Sequence, residues 1–353
     1  MEIQEILLHA VENGAADILI VAGMPVAYKV NGAIVREGDR LLPPDTRRLT
    51  EDVYRLADNR DINLLLENGD DDFPFALPGV SRFRVNALKQ RGSLGLVIRV
   101  VKFALRAPEE LGIPDAVMRL ADRPRGLVLI TGPAGSGKST TLACLIDRIN
   151  NTRNSHVITI EDPIEFLHQH KMSVVTQREL YTDTKSYNAA LRAALRESPD
   201  VILVGEMRDQ ETMRAAVTAA ETGHLVLSSL HTIGAANTID RIIDSFPPEQ
   251  QAQIRIQLAA AVEGIVSQQL LHSTDGSLVP AFEIMTANPA VCNLIREAKT
   301  HQLDNVIAQS AAEGMVLMDQ EILRLLQTNR ITKDEALRRC TNSAWMLKRL
   351  SLQ

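Results

Sequence analysis

The sequence predicts an α/β fold in two parts: a small α+β domain, then a larger domain whose parallel sheet is organised around one glycine-rich loop. Three observations carry that prediction. A short apolar run breaks into a glycine-rich loop that opens into a helix; a pattern of apolar strand, polar residue and helix then repeats; and the first hundred residues follow neither rhythm.

The loop has the most specific spacing. Leu127-Val128-Leu129-Ile130 reads as a buried parallel strand, and Leu142, Leu145, Ile146 and Ile149 mark one face of the helix beyond it. Between them lies Gly132-Pro133-Ala134-Gly135-Ser136-Gly137-Lys138-Ser139-Thr140, with the Gly-x-x-x-x-Gly-Lys-Ser spacing of a P-loop. Glycines let the backbone curl so that successive N–H groups point inward at phosphate oxygens, and the positive end of the next helix adds to the attraction. Lys138 supplies a point charge between terminal phosphates, and the Ser139 hydroxyl suits one position around Mg²⁺. The expectation is a site for a nucleoside triphosphate.

The repeats that follow place polar residues at strand ends. Residues 156–160 run into Glu161-Asp162-Pro163-Ile164-Glu165, residues 201–204 into Gly205-Glu206, and residues 225–229 into Leu230-His231-Thr232. Helices fill the gaps, one striped by Leu191, Ala194 and Leu195, another capped by Asp209 and ending near Gly223. Such alternation predicts a parallel sheet covered on both faces, with ligands at the carboxyl ends of its strands. Acids there can hold the waters of Mg²⁺ or orient an attacking water. Glu206 follows its strand as a Walker B acid does. Glu161 and Glu165 read equally as helix-start acids, and His224 and His231 as ordinary loop histidines.

Residues 1–106 look like a separate α+β domain, followed by a linker over 107–113, a parallel-sheet domain over 114–287 and a helical region over 288–353. Ile3, Ile6, Leu7 and Ala10 share a helical face, and residues 17–21 and 26–30 read as strands with turns at Gly23 and Asn31-Gly32. A helix is expected over 46–57, then strands over 83–87 and 94–101 with Gly92 between them. Pro108, Gly112 and Pro114 mark a hinge within 102–114. Arg84 and Arg99 fall in a candidate hairpin near Arg82 and Arg91, where they could face solvent or reach triphosphate charge. Further on, Ile254, Leu258, Ala261, Val262 and Ile265 give residues 248–272 a helical core stripe. Residues 288–350 read as several short helices, with Met315, Leu317, Met318, Ile322, Leu323 and Leu326 packed inward.

Composition narrows the function classes. With 353 residues, 45% of them hydrophobic, the chain can build about two ordinary cores. A net charge of −6 and only 3% aromatic residues argue against a nucleic-acid translocase. Cys144, Cys292 and Cys340 have no metal or redox spacing and suit a reducing compartment. Glu2 and Glu5 stand where a signal peptide needs basic residues, and no apolar run approaches the ~20 residues of a membrane span. The expectation is a cytoplasmic protein that meets a membrane only through a partner.

In that order, the P-loop, Ile158-Thr159-Ile160-Glu161-Asp162-Pro163-Ile164-Glu165-Phe166, Val201-Ile202-Leu203-Val204-Gly205-Glu206 and Thr222-Gly223-His224 to Leu230-His231-Thr232 resemble the secretion and pilus ATPases. All four family signatures are present: Walker A, Asp box, Walker B and His box. The resemblance covers nearly the whole chain and extends to Ala16-Asp17-Ile18 and Ser81-Arg82-Phe83-Arg84-Val85-Asn86. Residues 290–297, Ala-Val-Cys-Asn-Leu-Ile-Arg-Glu, are similar to a motif of the type IV pilus retraction ATPases, the PilT family. No four-cysteine module of the assembly and type II secretion branches is present.

The resemblance implies a PAS-like N-terminal domain, a RecA-like ATPase domain, and a homohexamer that uses ATP and Mg²⁺ and docks on an inner-membrane pilus platform protein. Other pilus motor ATPases could share its ring. It implies that Glu206 and Glu165 are the catalytic acids, and that both, with Ser139, hold Mg²⁺ directly or through water. Arg84 and Arg99 would reach the nucleotide, His231 would sense the γ-phosphate, and Glu161, Asp162 and His224 would line the nucleotide site. Ala134 replaces a usual Thr at a position that donates only backbone, while Val291 and Cys292 replace Ile and Arg of the retraction motif. Assembly or secretion work, or an accessory role in another motor's ring, are the alternatives; intact Lys138 and Glu206 argue against the accessory role.

Overall fold

The computed structural model describes residues 2–30, 32–101 and 105–351. Asn31 of the expected turn and residues 102–104 of the expected hinge lie outside them. The chain forms two compact units, Met1–Ala104 with Glu165–Leu167, and Leu105–Ile164 with His168–Gln353.

The first unit comprises α1 (Ile3–Glu12), β1 (Asp17–Ile20), β2 (Val26–Val30), β3 (Ala33–Glu37), α2 (Pro43–Leu56), α3 (Asn63–Asn68), β4 (Asp70–Leu77), β5 (Ser81–Gln90) and β6 (Ser93–Val101). Its sheet is wholly antiparallel, in the order β3-β2-β1-β6-β5-β4. Strand alternation sends Phe83, Val85 and Ala87 into a core shared with Ile6, Leu7, Leu49 and Val53. Arg82, Arg84 and Asn86 take the other face. Arg91 and Gly92 close the β5–β6 hairpin with positive φ at both positions, the geometry of a two-residue hairpin turn. Helix α2 starts three residues before the Thr46 expected, because Pro43 and Pro44 suit a first helical turn and the Asp45 carboxylate accepts the Leu42 N–H at 2.8 Å.

One buried carboxylate ties α2 and the segment just after it to the sheet. Asp71, with 8% of its side chain exposed, accepts hydrogen bonds from Tyr54 Oη, Arg60 Nε and Arg60 Nη2, each at 2.8 Å. The bidentate Arg60 bond holds the Asp71 carboxyl below the usual carboxylate range against the opposing effect of burial.

The second unit contains β7 (Gly126–Thr131), β8 (His156–Glu161), β9 (Val174–Glu179), β10 (Val201–Val204), β11 (Leu225–Leu230), β12 (Val262–His272) and β13 (Leu278–Thr286). Their order is β13-β12-β7-β11-β10-β8-β9, parallel throughout except for the β12–β13 hairpin. Alternate residues of β7 feed two cores: Leu127 and Leu129 on one face, Val128 and Ile130 on the other. Helix α4 (Asp115–Met118) and α5 (Lys138–Thr152) supply residues to the second of these cores. The first takes side chains from α6 (Tyr187–Ala194), α7 (Gln210–Glu221), α8 (Ala235–Asp244) and α9 (Pro248–Ala261).

The helix expected over 248–272 stops at Ala261, and the chain continues as β12. The apolar spacing fits a helix, but β-branched Val262, Ile265 and Val266 favour a strand. At Gly264 an added Cβ would stand 2.7 Å from Leu120. The expected short C-terminal helices are α10 (Pro289–Arg296), α11 (Leu303–Gln309), α12 (Met318–Gln327), α13 (Lys333–Arg339) and α14 (Ser343–Leu350). Met315, Met318 and Ile322 are buried, and Leu317, Leu323 and Leu326 pack partly buried against the same cores, as expected. Glu283 on β13 fastens this region by accepting the Ala235 N–H at 2.7 Å and the Met318 N–H at 3.2 Å, at the starts of α8 and α12. Among the described residues no helix is long and apolar enough to cross a membrane.

Replacing Asp71 by Ala removes three acceptor bonds and leaves Arg60 without its carboxylate, so β4 and α2 should open more easily by about 3 kcal/mol in hydrogen–deuterium exchange. Because the folded carboxyl titrates below its unfolded value of about 3.9, its contribution is complete above that pH and fades as pH falls through the folded value. Exchange in this unit should therefore accelerate in acid in the parent chain and be less acid-sensitive in Asp71→Ala.

Candidate active site

The loop between β7 and α5 takes the shape that its glycines permit. Gly132, Gly135 and Gly137 have φ of 140°, 75° and 89°, a region that other residues rarely enter. Space is the second constraint. A Cβ on Gly132 would stand 2.2 Å from the Gln268 carbonyl oxygen, and one on Gly137 would stand 2.8 Å from Gln268 Nε2. Lys138, 8% exposed, donates from Nζ to the Gly132 and Pro133 carbonyls at 2.9 and 3.0 Å. These bonds lay the lysine along the inner wall of the loop. Ser136 is buried and its Oγ has no hydrogen-bond partner, an orphaned polar atom of the sort an anionic ligand satisfies. Ala134 is exposed, while Pro133, Ser139 and Thr140 are half-buried.

Four adjacent parallel strands present the remaining groups at their carboxyl ends. Crossing the sheet from β7, the loop is followed by His231 after β11, Glu206 after β10, and Glu161 and Asp162 at the end of β8. His231 Nε2 lies 3.2 Å from Glu206 Oε1, and Arg208 Nε lies 2.9 Å from Glu206 Oε2. Glu206 has 18% of its side chain exposed, so it is partly desolvated yet open to water. Two β11 serines fix the backbone beneath it: Ser228 Oγ donates to the Val204 carbonyl at 2.6 Å, and Ser229 Oγ to the Gly205 carbonyl at 2.7 Å.

Glu161 accepts from Thr159 Oγ1 at 2.6 Å and Gln177 Nε2 at 3.3 Å. Its strand stands three places from β7, about 14 Å at normal strand spacing. Tyr187 sits among these acids: burial pushes its hydroxyl pKa up, and the charges of Asp162 and Glu206 add to the shift.

The other expected residues stand on other elements. His224 precedes β11, at the amino edge of the sheet and about 20 Å along the strand from His231. Its Nδ1 lies 2.9 Å from the Ala219 carbonyl oxygen, so within one chain it is not brought to the loop. Glu165 is exposed and belongs to the first unit. Arg84 and Arg99, also in that unit, are direct cross-strand neighbours. Arg84 bonds Asp72 at 2.7 and 3.3 Å, and Arg99 bonds Asp17 at 3.1 Å. Sequence reading gave no role to Gln268, Ser228, Ser229 or Arg208. For Gln268, Ser228 and Ser229 the visible signal was a polar residue inside an otherwise apolar strand; Arg208, in the loop after β10, offered none.

A glycine loop of this shape after a parallel strand, with a buried lysine and an acid two strands away, is the arrangement of a P-loop nucleoside-triphosphatase domain. The chain belongs to the Type II/IV secretion system protein family, whose pattern matches residues 1–351. It is similar to the Type IV pilus retractation ATPase PilT of Pseudomonas aeruginosa, at 45% identity over 340 residues, or 95% of this chain and 97% of that one. A twitching motility protein of Neisseria gonorrhoeae is 50% identical over 281 residues, 79% of this chain and 75% of its own. The crystal structure of the pilus retraction motor PilT with bound ADP superposes with a TM-score of 0.89 at 45% identity, covering 99% of each chain.

The Gly132 geometry makes a direct prediction. Gly132→Ala places a methyl group against the β12 backbone, so the loop must shift. Nucleotide affinity should fall by about 100-fold or more, measured by titration with a fluorescent ADP analogue. Unchanged affinity would contradict the packing described.

Proposed function

We propose that this chain is an ATP-hydrolysing motor subunit that powers type IV pilus retraction by disassembly. It would act as a homohexamer at the cytoplasmic face of the inner membrane, held there by a platform protein. The single observation that carries this reading is near-full-length similarity to a named pilus retraction ATPase in a chain that keeps Lys138 at the start of α5 and Glu206 just beyond the end of β10.

The loop N–H groups and the α5 amino terminus take the phosphates, and Lys138 exchanges its carbonyl bonds for phosphate oxygens. The Ser139 hydroxyl and the carboxylates of Glu206 and Glu165 are hard oxygen donors of the kind Mg²⁺ prefers, and they would hold it directly or through water. When bound, the ion neutralises charge between the terminal phosphates. Glu206 orients the attacking water and accepts its proton, with Glu165 as the second acid. His231, already hydrogen-bonded distance from Glu206, reports the presence of the γ-phosphate by changing partner. Glu161 and Asp162, at the end of β8, would hydrogen-bond waters held at the strand ends. Arg84 pairs with the exposed Asp72, and the largely exposed Arg99 pairs with the mostly buried Asp17. Ion pairs open to solvent on at least one side are worth roughly 1 kcal/mol or less, so a triphosphate would compete for both arginines.

Purified Glu206→Gln should bind ADP within threefold of the parent while its ATP turnover falls by about 100-fold or more. Equal turnover in the two proteins would contradict the assignment of the base. Lys138→Ala should lose both binding and turnover, which separates the two roles.

A further inference from the structure

We infer that Gln268, a strand residue outside every nucleotide-binding signature, is the positioning residue that locks the P-loop in its phosphate-binding shape. The inference rests on the reading of that loop as the nucleotide site. Gln268 lies on β12, paired in parallel with β7, and is 4% exposed. It meets the loop at two points and the helix after it at a third. Its carbonyl oxygen packs against Gly132, its side-chain nitrogen packs against Gly137, and its Oε1 accepts a hydrogen bond from Thr141 Oγ1 at 2.7 Å. One residue therefore touches the first and last glycines of the loop and the first turn of α5.

Thr141 is fully buried, unlike the half-buried Ser139 and Thr140, and its hydroxyl is bonded within the protein interior. A phosphate loop without this clamp would be free to relax, because its glycines tolerate many conformations and their ordering opposes binding. The Gln268 amide limits that freedom before the ligand arrives. Neighbouring Ser267 faces the other way and accepts the Gly234 N–H at 3.0 Å, in the segment that follows His231. Its cross-strand partner Glu283 accepts the next N–H, that of Ala235. Strand β12 thus fixes the phosphate loop with one residue and the histidine loop with the residue beside it.

A clamp of this kind acts equally on the bound ground state and the transition state, so its loss raises KM and leaves kcat near its parent value. The test is titration of the full chain with a fluorescent ADP analogue, with steady-state ATPase measured beside it. Gln268→Leu and Thr141→Val should each weaken ADP binding about five- to tenfold and raise KM in parallel, with kcat changed less than about twofold. Their combination should be no worse than Gln268→Leu alone by more than about twofold, because both remove the same bond. Thr141→Ser, which keeps the hydroxyl, should recover most of the lost affinity.

Independent, multiplying losses, or full affinity in both single variants, would overturn the clamp. If Gln268→Leu does not fold, the Thr141→Val and Thr141→Ser pair decides by itself, since each changes the side chain by little. Absence of ADP binding by the parent chain would sink the reading of the site and the clamp with it. Parent binding with unaffected variants would sink the clamp alone.

Discussion

The second unit depends on how closely backbone can approach backbone at the end of β7. At Gly132 the chain must turn within van der Waals reach of the Gln268 carbonyl, at a φ of 140° that only glycine accepts readily. That turn sends the loop inward, buries Lys138 against two carbonyls and starts α5 with its amino end over the cavity of the loop. The order of strands then does the rest. Because β11 and β10 follow β7 across the sheet, a histidine and an acid stand beside the loop although they lie about ninety and seventy residues away in sequence.

The charged groups around that loop are held by partners that are strong enough to orient them and weak enough to give way. Glu206 is shared between Arg208, which is largely exposed, and His231, which carries charge only when protonated. Its backbone, by contrast, is pinned by buried serines on the neighbouring strand. A rigid main chain with exchangeable side-chain partners is what a site needs if it is to cycle between ligand states. The first unit combines the same two features: Asp71 fixes Tyr54 of α2 and Arg60 just beyond it against the sheet, while Arg84 and Arg99 stand side by side, each in an ion pair that reaches solvent.

What could be read from sequence follows the range of the interactions. The P-loop, the strand ends bearing Glu206 and His231, and the β5–β6 hairpin were legible because each is defined within a dozen residues by spacing, an apolar run or a turn. Strand β12 was hidden because residues 254–265 satisfy a helical period by coincidence, and only its pairing with β7, more than 130 residues earlier, decides the matter. Gln268 and the β11 serines were hidden for the same reason: their roles exist only across strands. His224 entered the nucleotide set through family resemblance to the His box. The strand that separates it from His231 places it at the opposite edge of the sheet.

Retraction is the central claim, and it is decided in cells that make this protein. Live fluorescence microscopy of labelled pili in cells lacking the gene should reveal abundant pili that extend but no longer shorten. Shortening should return with the parent chain and not with Glu206→Gln. Bald cells would contradict the account, since loss of an assembly motor, and not of a retraction motor, leaves the surface without pili.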